Sequence, residues 1–219
     1  MNNKYPILWS FRRCPYAMRA RLSLYCNNFI VEIREISLKH KPTKFLSISP
    51  KGTVPVLQLE DGKIIDESNE IINWAIEKSN DYDCWKKSLE IDKIKTKEFL
   101  IQLDTKFKSD LDRYKYSSRY KTNPIKYRES GKMFLNRIEE ILNKQNFLSG
   151  NKIGLLDYST LPFVRQFRIA DIEWFDQVKW PKLHNWLNKF LNSNLFNEIM
   201  RKYELWDENQ ITLFGKNIN

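Results

Sequence analysis

The chain has 219 residues, 42% of them hydrophobic and 14% aromatic, with 37 Lys and Arg against 27 Asp and Glu and a net charge of +10. This length and apolar content can bury a substantial core, which excludes a disordered or fibrous chain. Three cysteines without framework spacing point away from a disulfide scaffold and toward a reducing, cytoplasmic setting, and no apolar run approaches the ~18 residues that span a bilayer.

The first apolar run, Ile7–Ser10, reads as a strand. It ends at once in Phe11-Arg12-Arg13, which leaves no signal-peptide core. Pro15 then opens a helix to about Cys26, because proline's missing N–H is unpaired in the first helical turn anyway. Asn27-Asn28 ends that helix, since Asn tolerates the left-handed position after a C-terminus. Phe29–Glu35 is β-branched and alternating, which predicts a second strand, and a short helix is expected over Thr43–Ile48. Val56–Leu59 and Lys63–Ile65 flank Glu60-Asp61-Gly62, a strong hairpin signal. A third helix is expected over Ser68–Lys78, with Ile71, Ile72, Ala75 and Ile76 on its apolar side.

This order predicts one mixed four-stranded sheet covered by helices, an α/β domain over 1–79. A polar linker is expected at 80–87. Beyond it the periodicity is helical only, over about Leu89–Tyr114, Pro124–Lys144, Leu155–Ile169, Pro181–Asn192 and Leu195–Arg201. Residues 88–219 therefore read as an all-helical C-terminal domain.

Cys14 is the most informative side chain. It precedes Pro15 at the start of a helix, where unpaired N–H groups and the helix dipole favour an anion, and Arg12 and Arg13 stand beside it. Such surroundings activate a thiol as a nucleophile. The ordinary alternative is a small buried hydrophobe.

Four pieces of sequence carry a family resemblance in order and spacing: Cys14-Pro15-Tyr16 with Arg19 and Arg21, Leu38-Lys39-His40-Lys41-Pro42, Gly52-Thr53-Val54-Pro55-Val56-Leu57, and Asp66-Glu67-Ser68. Together they resemble the thioredoxin-like domain of the cytosolic glutathione transferases, in the cysteine-type branch of the omega, lambda and dehydroascorbate reductase classes. The resemblance continues through Phe147-Leu148-Ser149-Gly150, Asp157, Leu161 to Phe167, and Trp180-Pro181-Lys182-Leu183. One position departs from the family pattern: Gly154 stands where a Ser or Thr cap is usual, so Asp157 supplies half of a capping box.

The resemblance implies glutathione as cosubstrate, held against the thioredoxin-like domain, and a mixed disulfide between it and Cys14. Val54 would offer its main chain to the cysteinyl part, beside a cis Pro55. Glu67 and Ser68 would hold the γ-glutamyl end and Lys41 the glycyl carboxylate, roles that suit an acceptor, a hydroxyl at a helix start and a point cation. A symmetric homodimer is implied as well. The second substrate would be a small electrophile or an oxidised or disulfide compound.

Ala17 occupies the place of a second cysteine in a Cys-x-x-Cys pair, and Cys26 lies a whole helix away, about 18 Å. The site is thus monothiol, which favours thioltransferase, deglutathionylation or dehydroascorbate reductase chemistry over conjugation. Conjugation through the hydroxyl of Ser10 or Tyr16, or a non-catalytic adaptor binding the transcription or translation machinery, are the competing readings. Two histidines, His40 and His184, suggest no metal site.

Positive charge is spread over both halves: residues 1–80 hold 12 basic and 8 acidic side chains, the remainder 25 and 19. The densest basic and aromatic stretch, Tyr114 to Lys121, reads as a solvated helix end rather than a nucleic-acid surface. The family fold would set it near the acceptor site, which makes Tyr114, Tyr116, Trp174 and Phe175 candidate acceptor-pocket residues. Ordinary aromatic packing is the alternative for all four.

Overall fold

The computed structural model of the chain describes residues 4–79, 93–216 and 218. The expected linker at 80–87, the start of the helix expected from Leu89, and Cys84 lie outside the described residues. The chain divides into two compact units, Met1–Asp81 with Asn194–Asn219, and Tyr82–Ser193.

The first unit runs β1 (Ile7–Ser10), α1 (Pro15–Cys26), β2 (Val31–Glu35), α2 (Thr43–Ile48), β3 (Val56–Gln58), β4 (Ile64–Ile65) and α3 (Ser68–Lys78). β1 pairs parallel to β2 and antiparallel to β3, and β3 pairs antiparallel to β4. Local chemistry sets several of these boundaries. Asn28 takes φ +61 after α1, and the Phe29 N–H then returns to the Leu24 carbonyl at 2.9 Å, so the second strand begins at Val31 and not at Phe29. Gly62, at φ +88, closes the β3–β4 turn through the Leu59 carbonyl, while Asp61 Oδ1 accepts from the Lys63 N–H.

The sheet has five strands, not four, in the order β4-β3-β1-β2-β5. The added strand is β5 (Leu213–Phe214), paired antiparallel to Val31 and Glu32 on the outer side of β2. Among the described residues the C-terminal region is helical as far as α11 (Asn194–Ile199), and the segment beyond that helix carries β5 and belongs to the first unit. Covering the β2 edge satisfies N–H and C=O groups that an edge strand would leave open. Gly215 at φ +156 permits the close approach, because a Cβ there would stand 2.7 Å from the Phe29 carbonyl oxygen.

The core of this unit gathers Ile7, Trp9, Ala17, Ile36, Phe45, Val54 and Val56, with Cys14 and Trp206 packed against it. Trp9 is fully buried, edge-on to Trp206 at 5.0 Å and tilted against Phe45 at 5.4 Å. The Arg34 guanidinium lies over both indoles, at 4.8 and 5.0 Å.

The second unit is helical: α4 (Lys93–Gln102), α5 (Lys108–Lys115), α6 (Ser117–Tyr120), α7 (Pro124–Lys144), α8 (Leu155–Ala170), α9 (Ile172–Gln177) and α10 (Pro181–Leu191). The helix expected to run unbroken to Tyr114 contains a π-helical turn, Leu103–Phe107, where the Thr105 hydroxyl bonds the Ile101 carbonyl at 2.6 Å. The α9 turn was not expected, because six residues carry too little periodicity to be read. Its signal is Asp171, whose side chain caps the Trp174 N–H at 3.1 Å.

Asp157 organises the centre of this unit. It is fully buried and accepts from the N–H groups of Leu148 (2.8 Å), Ser149 (3.0 Å) and Gly154 (3.1 Å) and from Trp186 Nε1 (2.8 Å). The bond from Gly154 is the half capping box expected from the sequence. Glu139 on α7 likewise receives the Lys182 and Leu183 N–H groups at the start of α10.

Candidate functional site

Cys14 is the N-cap of α1, with extended backbone (φ −76, ψ 123) and Pro15 next. Its N–H closes a turn onto the Phe11 carbonyl at 2.9 Å, and its carbonyl accepts from the Met18 N–H at 2.9 Å. The thiol is half-buried and donates to the Val54 carbonyl at 3.6 Å. The Val54–Pro55 peptide bond is cis. The nucleophile candidate and the main chain of Val54, forty residues apart in sequence, are thus in contact.

Glu67 is the N-cap of α3 and exposed, while Ser68 opens the helix and is buried. The first turn of a helix is a place where N–H groups can receive an anion, and Glu67 carries acceptor oxygens beside it. Lys41 is exposed and reaches back over the turn before Val54: a Cβ placed on Gly52, which sits at φ +61, would lie 3.2 Å from Lys41 Nζ.

Lys51 is a residue that sequence reasoning passed over. Its ammonium bridges Asp66 (3.0 Å) and Glu67 (2.9 Å), and these bonds, Glu67 first, raise its titration above the ordinary lysine value. Its sole sequence signal is its place in Pro50-Lys51-Gly52, directly before the glycine turn.

Ser10 is fully buried at the end of β1, and its hydroxyl accepts from Arg21 Nε at 2.9 Å. Arg21 is itself buried, which pulls its titration down against the opposing charge of Glu35. Tyr16 is half-buried with the Arg19 guanidinium 5.5 Å over its ring.

Three of the four aromatic candidates of the second unit are linked by ring contacts, Tyr114 to Trp174 through Phe167 and Trp174 to Phe175 through Trp180. Tyr114 is buried against Phe167 (4.9 Å), and that burial pushes its hydroxyl up to about 12. Trp174 is half-buried, with the Arg128 guanidinium 4.5 Å over its ring. Phe175 is fully buried against Trp180 and His184. Tyr116 is exposed beside Lys115. Among the described residues, no group of three or more His, Cys, Asp or Glu could hold a metal ion, and no helix is long and apolar enough to cross a membrane.

Two family models match the chain, one described as Glutathione S-transferase, N-terminal domain, over residues 8–82, and one as Glutathione S-transferase, C-terminal domain, over residues 126–189. Among curated relatives, glutathione S-transferase omega-1 of Rattus norvegicus is 28% identical over 187 residues, covering 82% of this chain and 74% of the relative. Glutathione S-transferase omega-2 of Homo sapiens is 26% identical, covering 79% and 76%. A probable glutathione S-transferase of Oryza sativa subsp. japonica, DHAR1, cytosolic, is 41% identical over 64 residues, 29% of this chain and 30% of that one. Among solved structures, a glutathione transferase family member of Pseudomonas fluorescens with two glutathione bound superposes with a TM-score of 0.75 at 16% identity, covering 90% of this chain and 92% of that one. A glutathione transferase of Phanerochaete chrysosporium in complex with oxidized glutathione gives 0.74 at 19% identity, covering 90% and 95%.

Proposed function

This chain belongs to the glutathione S-transferase family, and we propose that it is a cysteine-type member that transfers glutathione through a mixed disulfide on Cys14. The observation that carries this reading is the Cys14 thiol at the start of α1, 3.6 Å from the Val54 carbonyl. The omega-class and DHAR relatives support it. Glutathione would align along the main chain of Val54 beside Pro55, with its γ-glutamyl end at Glu67, Ser68 and the α3 N-terminus and its glycyl carboxylate at Lys41.

In the reaction, the Cys14 thiolate attacks the glutathione sulfur of a mixed disulfide. A Cys14–glutathione disulfide forms as the substrate's sulfur–sulfur bond breaks, and the substrate leaves as a thiolate that takes up a proton. A second glutathione thiolate attacks that sulfur, releases oxidised glutathione and restores the Cys14 thiolate. With dehydroascorbate two free glutathiones supply the two electrons and two protons: ascorbate forms as the Cys14 thiol and the first glutathione join in a disulfide, and the second glutathione resolves it as above. Ala17 and the placement of Cys26 at the far end of α1 leave resolution to the second glutathione. Ser10 is a poor conjugating hydroxyl here, because it is fully buried and already accepts from Arg21. A symmetric homodimer through α3 and α4 belongs to the same reading, and light scattering at the mass of a single chain would exclude it.

Cys14→Ser should abolish thioltransferase and dehydroascorbate reductase activity while glutathione binding persists. Cys26→Ser and Cys84→Ser should leave turnover intact. After exposure to oxidised glutathione, mass spectrometry should find one adduct, on the Cys14 peptide. An adduct on Cys26 or Cys84, or full activity in Cys14→Ser, overturns the mechanism.

A further inference from the structure

Three parts of the first unit, β2, the turn after β1 and α1, meet at one buried carboxylate. Glu35 is the last residue of β2, in register with Ser10 of β1, and only 7% exposed. Its Oε1 accepts from the backbone N–H of Arg12 at 2.6 Å, and its Oε2 pairs with Arg21 of α1. Its own carbonyl accepts from the Trp206 N–H at 2.8 Å. Arg21 extends the network to the Ser10 hydroxyl (2.9 Å) and the Ile199 carbonyl (3.0 Å), and the Arg12 guanidinium reaches the Met200 carbonyl at 3.4 Å.

We propose that Glu35 is a positioning residue for Cys14, resting on the reading of Cys14 as nucleophile. Two hydrogen bonds from backbone N–H groups hold the turn from Phe11 to Cys14, beside the Arg12 guanidinium on the Met200 carbonyl and the Cys14 thiol on the Val54 carbonyl. One is the internal bond from the Cys14 N–H to the Phe11 carbonyl, and the other is the Arg12 N–H on Glu35. The second bond ties the turn to the end of β2. A carboxylate is costly to bury unless both oxygens are engaged, and here one oxygen holds the turn while the other holds α1 through Arg21. Glu35 thereby sets the turn that carries Cys14 against the helix whose N-terminus should stabilise its thiolate. Misplacement by about 1 Å is enough to lose reactivity at such a site. The C-terminal segment from Ile199 to Trp206 is fastened to the same network, and Trp206 packs on Trp9 in the cluster that contains Cys14. The charged and titratable groups on the turn and the elements packed against it include Arg12, Arg13, Tyr16, Arg21, Glu35 and Tyr203, with Arg34 and Lys44 over Trp206.

The test measures alkylation of Cys14 by iodoacetamide against pH, with Cys26 and Cys84 replaced by Ser so that one thiol reports. Glu35→Gln and the double variant Glu35→Leu with Arg21→Met are compared with the parent. The double variant replaces both charges with apolar groups, which the interior tolerates, and keeps the test open should the single variant not fold. Loss of positioning should raise the midpoint of the alkylation profile by about half to one pH unit, the scale of one helix terminus acting on a charge. The rate at neutral pH should fall roughly three- to tenfold. Removing the negative charge of Glu35 without moving the turn would favour the thiolate and lower the midpoint, the opposite sign. A midpoint that is unchanged or lowered in folded variants overturns the proposal. If the parent itself reacts as an ordinary thiol and takes no glutathione adduct, the thiol-transfer reading and this inference both fall. If the parent takes the adduct and folded variants react like it, positioning by Glu35 alone is refuted.

Discussion

Changing Asp157 to Asn keeps the shape of a fully buried side chain and removes its charge. Both carboxylate oxygens are used twice: Oδ1 accepts from the Leu148 N–H and Trp186 Nε1, and Oδ2 from the Ser149 and Gly154 N–H groups. An amide oxygen can serve one of these pairs, while the amide NH2 faces the two donors of the other. Two buried donors without an acceptor cost roughly 1–3 kcal/mol each. Part of this is returned, because burial pushes the Asp157 carboxyl upward against its hydrogen bonds, and the neutral amide escapes that penalty. The net loss should be about 3 kcal/mol. At about 2–4 °C per kcal/mol for a chain of this size, the melting temperature should fall by roughly 6–12 °C. Thermal unfolding followed by far-ultraviolet circular dichroism at pH 7 measures it, with several scan rates to check reversibility. A drop of less than about 2 °C would refute the premise that this carboxylate holds the Leu148–Gly154 loop, the start of α8 and Trp186 together.

Gly131→Ala should destabilise the second unit by about 1–3 kcal/mol despite alanine's better helix propensity. The new Cβ would lie 2.5 Å from Phe167 Cε2, in a ring fully buried against Phe107 and Tyr114, and a lowered urea midpoint reads the effect. Asp176 is held below its ordinary titration range chiefly by its hydrogen bond from Arg168, so its contribution is present above about pH 4 and lost as pH falls through its folded value. Asp176→Asn should therefore lower stability by less than ~1 kcal/mol at neutral pH and match the parent in strong acid; equal curves throughout would show the exposed pair to be inert. Glu67→Gln and Ser68→Ala should each weaken glutathione binding in calorimetry by roughly 5- to 30-fold, as loss of one charge-assisted or buried hydrogen bond predicts, with melting temperature nearly unchanged. Unaltered affinity in both variants would remove the γ-glutamyl assignment.

Short-range signals carry the part of the fold and the site that local chemistry sets. Cys14-Pro15 starts a helix because proline suits only its first turn, Asp61-Gly62 closes a hairpin because glycine accepts φ +88, and Gly154 with Asp157 marks the start of α8. The spacing of Cys14, Lys41, Val54 and Glu67 further identified the family. The residues alone left the isomer of Pro55 open, since either form fits them, and the cis form was implied by the family resemblance. Tertiary structure decided the rest. β5 is two residues long and exists because the edge of β2 is there to pair with, so no pattern in Leu213-Phe214 announces it. The same holds for Lys51, whose two ion pairs join a turn to a helix start. Burial of Phe175 and Tyr114 follows from which helix face each occupies once α5, α8 and α9 have packed, while Tyr116 is exposed at the junction between α5 and α6. Arg21 and Arg12 find carbonyls 178 and 188 residues away, and the Glu35 carboxylate takes its partners Arg12 and Arg21 from 23 and 14 residues away. Such contacts depend on chain path, which local spacing and capping chemistry do not encode.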